Sequence, residues 1–282
     1  MRCSFAPIGR SWSEVETMTI KAVCFDLDDT LLWDDRSVKE AFAAACEFAA
    51  QRVPGIEPEE LEEAVRREAR GLYESYETYP FTKMIGINPF EGLWATFSAG
   101  EQPEFRQLEQ LAPVYRKESW RRGLLAVGVD NDQLGEELAE RFAKERRARP
   151  HVYEETFQVL KELHGTVKLL LLTNGCPALQ QEKLDGVPEL APFFDEIIIS
   201  GKFGKGKPDP SIFRHALERL GIDAGEGIMV GDKLTTDIKG SLSVGMTAIW
   251  INRDGKQPSD EIKPDYEISH LSELHEIIAR LA

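Results

Sequence analysis

The run Ile20-Lys21-Ala22-Val23-Cys24-Phe25 passes directly into Asp26-Leu27-Asp28-Asp29-Thr30. A short apolar segment that stops abruptly at an acidic cluster reads as a buried strand with its carboxyl end at a polar crevice. Outward from this strand the chain changes period twice. Between Ser37 and Arg149 helical spacing dominates. It predicts helices at Ser37–Arg52 with Ser37 as N-cap, from Pro58 to about Thr78, and at Phe90–Ser98, Phe105–Arg122 and Asn131–Arg149. A segment punctuated by Pro80 and Gly86 reads as loop, and Pro150 stops the last helix.

From His151 onward, short apolar runs (Val167–Leu172, Glu196–Ile199, Gly227–Val230, Ala248–Ile251) alternate with helical stretches (Glu155–Leu163, Leu179–Leu184, Ser211–Leu220, Thr236–Val244). Near-continuous apolar strands between helices are the pattern of a parallel sheet covered on both faces. Asp265–Ser269 reads as an edge strand and Leu271–Leu281 as a closing helix. The expected architecture is therefore α/β: a doubly wound parallel sheet from residues 19–36 and 150–282, with residues 37–149 inserted as a helical cap. Residues 1–18 carry no strand or helix period and too broken an apolar stretch for a signal peptide. They read either as a disordered tail or as a start placed upstream of Met18.

At 282 residues, with 42% hydrophobic and 29% charged residues, the chain has an ordinary globular composition. A net charge of −15 leaves no basic excess for nucleic acid. No stretch approaches the roughly 18 apolar residues of a membrane helix. Cys3, Cys24, Cys46 and Cys176 are scattered, the usage of a reducing cytoplasm. The histidines show no zinc-ligand spacing.

In a parallel sheet, ligands bind beyond the carboxyl ends of the strands. There the chain places Asp26, Asp28 and Asp29; then Thr173, Asn174 and Gly175; then Lys205, Gly206 and Lys207; then Gly231, Asp232 and Asp237. Crowded carboxylates repel unless a cation offsets them. Oxygen-only ligands suit Mg²⁺, which would also screen an anionic nucleophile from a phosphate. A carboxylate can form an acyl phosphate and a second carboxyl can shuttle a proton. A hydroxyl and a lysine suit the transferring phosphoryl group. Gly201–Lys207 mimics the start of a P-loop, but Pro208 stands where that motif needs Ser or Thr.

Taken together, these four clusters resemble the motifs of the haloacid dehalogenase superfamily, above all its phosphatases, from about Thr19 to the end of the chain. The resemblance implies a Rossmann-like core, Asp26 as nucleophile, Asp28 as general acid/base, and Thr173, Asn174 and Lys207 as phosphate-binding groups. It further implies Mg²⁺ held by the Asp26 carboxylate, the Asp28 backbone carbonyl and the Asp232 carboxylate, with Asp237 farther out or acting through water. Lys207 is preferred to its neighbour Lys205 because Pro208 and Asp209 follow it. Lys233 stands where the family more often has a small polar residue.

Asp29 and Asp34 read as solvated or capping residues, and Cys176 as a small packing residue. The stretch Glu77–Pro80 through Met84–Trp94 is similar to prokaryotic proteins classed as phosphoserine phosphatases. This implies a small phosphorylated metabolite as partner, with L-phosphoserine the leading substrate. An insert that binds it is expected to offer Lys83 or Arg121 beside Glu91. A sugar-phosphate or phosphoglycolate phosphatase is the first alternative. A phosphomutase shares the motifs, a haloacid dehalogenase does not keep the second aspartate, and a regulator with a relic site is the non-enzyme alternative.

Overall fold

The computed structural model describes residues 19–281; both readings of residues 1–18 fall outside them. Among these residues six strands form one parallel sheet in the order β3-β2-β1-β4-β5-β6. The strands are β1 (Ala22–Phe25), β2 (Lys168–Thr173), β3 (Glu196–Ile199), β4 (Gly227–Gly231), β5 (Thr247–Ile251) and the edge strand β6 (Tyr266–Ile268). Strand β1 sits in the middle, with Phe25 in register with Leu171 on one side and Val230 on the other.

The strands are buried on both faces, and alternate side chains serve different layers. Val23, Phe25, Leu169, Leu171, Ile228 and Val230 pack to one side. Ala22, Cys24, Leu170, Leu172 and Met229 pack to the other, against Phe213 and Leu217. An unbroken apolar run is thus what a strand with two buried faces requires.

Between β1 and β2 lie α1 (Asp34–Arg52), α2 (Pro58–Ser75), α3 (Tyr79–Ile85), α4 (Pro89–Gly92), α5 (Pro103–Ala126) and α6 (Asp132–Arg147). After β1, the sheet is covered by α7 (Thr156–Leu163), α8 (Pro177–Asp185), α9 (Ser200–Phe203), α10 (Pro210–Leu220), α11 (Lys239–Val244) and α12 (Leu274–Leu281). A wider π-helical turn, Leu234–Ile238, leads into α11.

Three local expectations change. Helix α1 begins at Asp34 rather than Ser37, and the Ser37 hydroxyl lies inside the first turn, donating to the Trp33 carbonyl at 3.1 Å. Tyr79–Ile85 is helical, because Pro80 falls in the first turn, where its missing N–H costs nothing. The helix expected at Phe90–Ser98 shrinks to α4, held by a reciprocal capping box between Asn88 and Glu91.

The insert has its own aromatic core. Phe42 meets Phe142 at 4.4 Å and Trp120 at 5.9 Å between ring centroids. That core also takes in Cys176, just before α8, and Leu179 of α8, so the insert is packed onto the sheet domain as well as tethered to it. The two connecting strands pair with each other: Trp33 N–H donates to the His151 carbonyl at 2.9 Å, and the Trp33 and Tyr153 rings stack at 5.1 Å. No helix among the described residues is long and apolar enough to cross a membrane. Replacing the fully buried Phe42 by Ala should cost about 3–5 kcal/mol, read as a lowered urea midpoint.

Candidate active site

The chain order reverses at β1, so the carboxyl ends of β1, β2 and β4 open on one crevice. The loop after α9 brings Lys207 into it. The Lys207 side chain is 2% exposed, and its ammonium donates to Asp26 Oδ1 at 2.6 Å and to the Leu172 carbonyl at 2.7 Å. Asp237 Oδ1 lies 2.7 Å away. Burial works against this charge, but Asp237 and Asp26 outweigh it and hold the lysine above its ordinary pKa. Asn174 clamps the same loop: its Nδ2 donates to the Lys207 carbonyl at 2.9 Å, and the Lys207 N–H donates back to Oδ1 at 2.8 Å.

Carboxylate oxygens of Asp26, Asp232 and Asp237 all lie within 4.8 Å of one another. Burial pushes Asp26 up to about 6 and Asp232 to about 8. Asp232 Oδ1 is buried with no hydrogen-bond partner. An all-oxygen, mutually repelling set with an orphaned acceptor fits a hard divalent cation. The close approach depends on Gly231, where a Cβ would stand 2.4 Å from the Asp237 carboxyl carbon. Asp28 faces elsewhere. Its Oδ2 accepts from Gln180 Nε2 at 3.1 Å and from Lys183 Nζ at 2.8 Å, and its Oδ1 is buried without a partner. Burial alone would raise Asp28, yet Lys183 and the Gln180 bond hold it below the usual carboxylate range.

Thr173 lies beneath this layer, 1% exposed, with Oγ1 accepting from Gln180 Nε2 at 2.6 Å. A cavity of about 150 Å³ lies above, lined by Asp26, Asp28, Asn174 and Lys207 and closed by Gly86, Asn88 and Glu91 of the insert. The insert is latched beside it. Ser200 Oγ donates to the Ile85 carbonyl at 2.7 Å, and Gly206 N–H donates to the Met84 carbonyl at 3.1 Å.

The structure thus brings Asp26, Asp28, Thr173, Asn174, Lys207, Asp232 and Asp237 together, but not Lys83 or Arg121. Lys83 is exposed on α3, outside the cavity, because α3 turns its Phe81, Thr82 and Ile85 inward. Arg121 is a surface residue of α5, bound to Glu118 at 2.7 Å. Glu91 does reach the cavity wall, though one oxygen meets Lys183 at 3.0 Å and the other caps Asn88 at 2.9 Å. Asp34 is buried rather than solvated, and pairs with Arg146. Asp29 Oδ1 does accept the Asp35 N–H, at 2.8 Å. Lys205 is exposed and pairs with Asp209. Cys176 is buried and its thiol is pushed up to about 11 by burial, so it packs rather than reacts. Lys233 lines the cavity with an exposed side chain, and its backbone N–H donates to Asp237 Oδ2 at 3.0 Å.

Gln180 and Lys183 were not singled out from sequence. Their signal was present. Positions 179, 180, 183 and 184 form one helical face, and Leu179 and Leu184 bury it.

Residues 20–245 match the family model described as haloacid dehalogenase-like hydrolase. The chain belongs to that family. Among relatives of this hydrolase, a phosphoserine phosphatase of Thermus thermophilus is 37% identical over 260 residues, 90% of this chain and 98% of that one. A glyceraldehyde 3-phosphate phosphatase of Methanopyrus kandleri is 30% identical, covering 93% of this chain and 99% of that one. The HAD-hydrolase YfnB of Bacillus subtilis, solved bound to magnesium, shares the fold with a TM-score of 0.63 at 24% identity, over 92% of this chain and 99% of that one.

The raised carboxyls carry a sign. A carboxyl whose folded pKa exceeds its unfolded value favours folding only while protonated, so its contribution is lost as pH rises through the folded pKa. In EDTA the melting temperature of this hydrolase should therefore fall as pH rises from about 4, the ordinary carboxyl value, the part due to Asp26 ending at about 6 and the part due to Asp232 at about 8. A saturating divalent cation should flatten that slope, as scanning calorimetry at several pH values will read.

Proposed function

We propose that this hydrolase cleaves small phosphate monoesters through an aspartyl-phosphate on Asp26, with Mg²⁺ as cofactor. One observation carries the reading: Asp26, paired with Lys207, and Asp28, whose Oδ1 has no partner, line one small cavity beside a carboxylate cluster. An Asp26 oxygen bonds to phosphorus as the bond from phosphorus to the ester oxygen breaks, and that oxygen takes its electron pair and a proton from Asp28. Water then attacks the phosphoryl group, gives its proton back to Asp28, and frees Asp26 and inorganic phosphate. Lys207 and Asn174 orient the phosphoryl oxygens, while Gln180 holds Thr173 and Asp28 in place. Mg²⁺, held by Asp26, Asp232 and the Asp28 backbone carbonyl, would offset charge on nucleophile and phosphate. Asp28 is also what separates this chemistry from dehalogenation, because a halide leaves without a proton and an alkoxide does not.

The helical insert acts in this reading as a cap that excludes water and selects the leaving group. L-phosphoserine is the leading substrate, supported by the Thermus relative, whose likeness spans nearly the whole of both chains. Glu91 is already engaged and Asp34 is paired with Arg146, so the substrate's ammonium would meet Asp29 and its carboxylate Lys233, both of which line the cavity. A phosphorylated sugar or triose is the second reading, supported by the Methanopyrus relative.

Phosphate release across a metabolite panel, with Mg²⁺ and with EDTA, tests both. Activity should require the metal, and phosphoserine should exceed sugar phosphates by about tenfold or more in kcat/KM. A flat profile would remove the substrate assignment and leave the phosphatase standing. Asp26→Asn should lower turnover by about 10⁴-fold or more in a protein that still folds; retained activity would mean another nucleophile.

A further inference from the structure

Lys183 enters the site from the helical face of α8, with its side chain 2% exposed. Its ammonium lies 2.8 Å from Asp28 Oδ2, 3.0 Å from Glu91 Oε1 and 3.5 Å from Asp34 Oδ1. These three partners have different origins. Asp28 belongs to the sheet domain, Asp34 opens the insert at its hinge, and Glu91 sits on α4, over the cavity.

Each partner is fixed from behind. Glu91 Oε2 accepts the Asn88 N–H, and the Tyr115 hydroxyl donates to the Pro89 carbonyl at 2.8 Å, so Glu91 moves only when α4 moves. Asp34 is paired with Arg146, at the other end of the insert. Gln180 supplies the second donor to Asp28 Oδ2. With Oδ2 held twice, the Asp28 carboxyl cannot turn about its bond without breaking both contacts, and the oxygen left free is Oδ1. A plain counter-ion would neutralise the same charges without selecting one oxygen. It would also not need a partner on the cap.

We infer that Lys183 is a positioning residue that aims Asp28 Oδ1 at the leaving-group oxygen and, through Glu91, makes that aim depend on the cap being seated. This rests on the reading of Asp28 as the group that protonates the leaving group. The proton comes from Asp28, and Lys183 neither gives nor takes one. Its effect therefore follows the leaving group. An alkyl monoester needs the proton, whereas p-nitrophenyl phosphate expels a stable phenolate without it. The quantity to compare is kcat/KM, which reports steps only up to departure of the leaving group.

The experiment measures kcat/KM for the best alkyl phosphate of the panel and for p-nitrophenyl phosphate, in the full chain with Mg²⁺, for wild type, Asp28→Asn, Lys183→Met, Lys183→Arg and Glu91→Gln. Asp28→Asn and Lys183→Met should each lose at least about tenfold more on the alkyl than on the aryl substrate. Lys183→Arg should narrow that gap, and Glu91→Gln should show a smaller gap of the same sign. Equal losses on both substrates in Lys183→Met, with Asp28→Asn still discriminating, would reduce Lys183 to a structural counter-ion and overturn the inference alone. No discrimination in Asp28→Asn would overturn the reading of Asp28 as the acid, and the inference with it. If Lys183→Met does not fold, as judged by circular dichroism, Lys183→Gln and Glu91→Gln decide by the same comparison, and equal losses on both substrates overturn the inference.

Discussion

The contact between the Lys207 ammonium and the carboxylates of Asp26 and Asp237, at 2.6 and 2.7 Å, is the one around which the site is arranged. Three carboxylates in one buried crevice are tolerable only with cations placed among them. Lys207 and the nearby Lys233 do not bring Asp26 and Asp232 back to the ordinary carboxylate range, and an acidic cluster left with that excess suits a divalent cation. The same crowding explains why the backbone is so constrained there. Gly231 lets Asp237 approach, Asn174 grips the loop that carries Lys207, and the Trp250 indole donates to the Asp232 carbonyl at 2.9 Å.

A second cation, Lys183, answers a second group of carboxylates a few residues away. The division matters because the two aspartates of Asp26-Leu27-Asp28 end up in different electrostatic surroundings. Asp26 belongs to the cluster with Asp232 and Asp237 and is raised by burial. Asp28, bound to Lys183 and Gln180, is held low. The separation comes from how far burial is offset: Lys207 does not outweigh it at Asp26, whereas Lys183 and the Gln180 bond do at Asp28.

The insert is joined to this chemistry by three kinds of contact. Its aromatic core takes in Cys176, just before α8, and Leu179 of α8, and its backbone carbonyls at Met84 and Ile85 accept hydrogen bonds from the crevice loops. Glu91 shares the ammonium of Lys183. Gly86 sits where a Cβ would stand 2.6 Å from the Asn174 amide, so the insert approaches Asn174 as closely as backbone allows.

The sequence by itself determined the sheet and the acidic residues that follow its strands. Ala22–Phe25, Leu169–Leu172 and Ile228–Val230 are apolar on both faces because helices cover both, and such runs are legible without coordinates. The crevice residues were legible because each directly follows a strand or the loop beyond it, so order along the chain maps onto position. Only the tertiary structure decided the partners that reach the site sideways. Lys183 and Gln180 come from the middle of α8, Glu91 from a four-residue helix in the insert, and Asp34 from a helix start that the Ser37 signal had misplaced. Lys83 and Arg121 carried the right charge but lay on outward faces, since charge along a chain says nothing of direction until a helix is packed. Strand ends are set by local pattern, whereas contacts between a helix face and a distant carboxylate are set by how the layers meet.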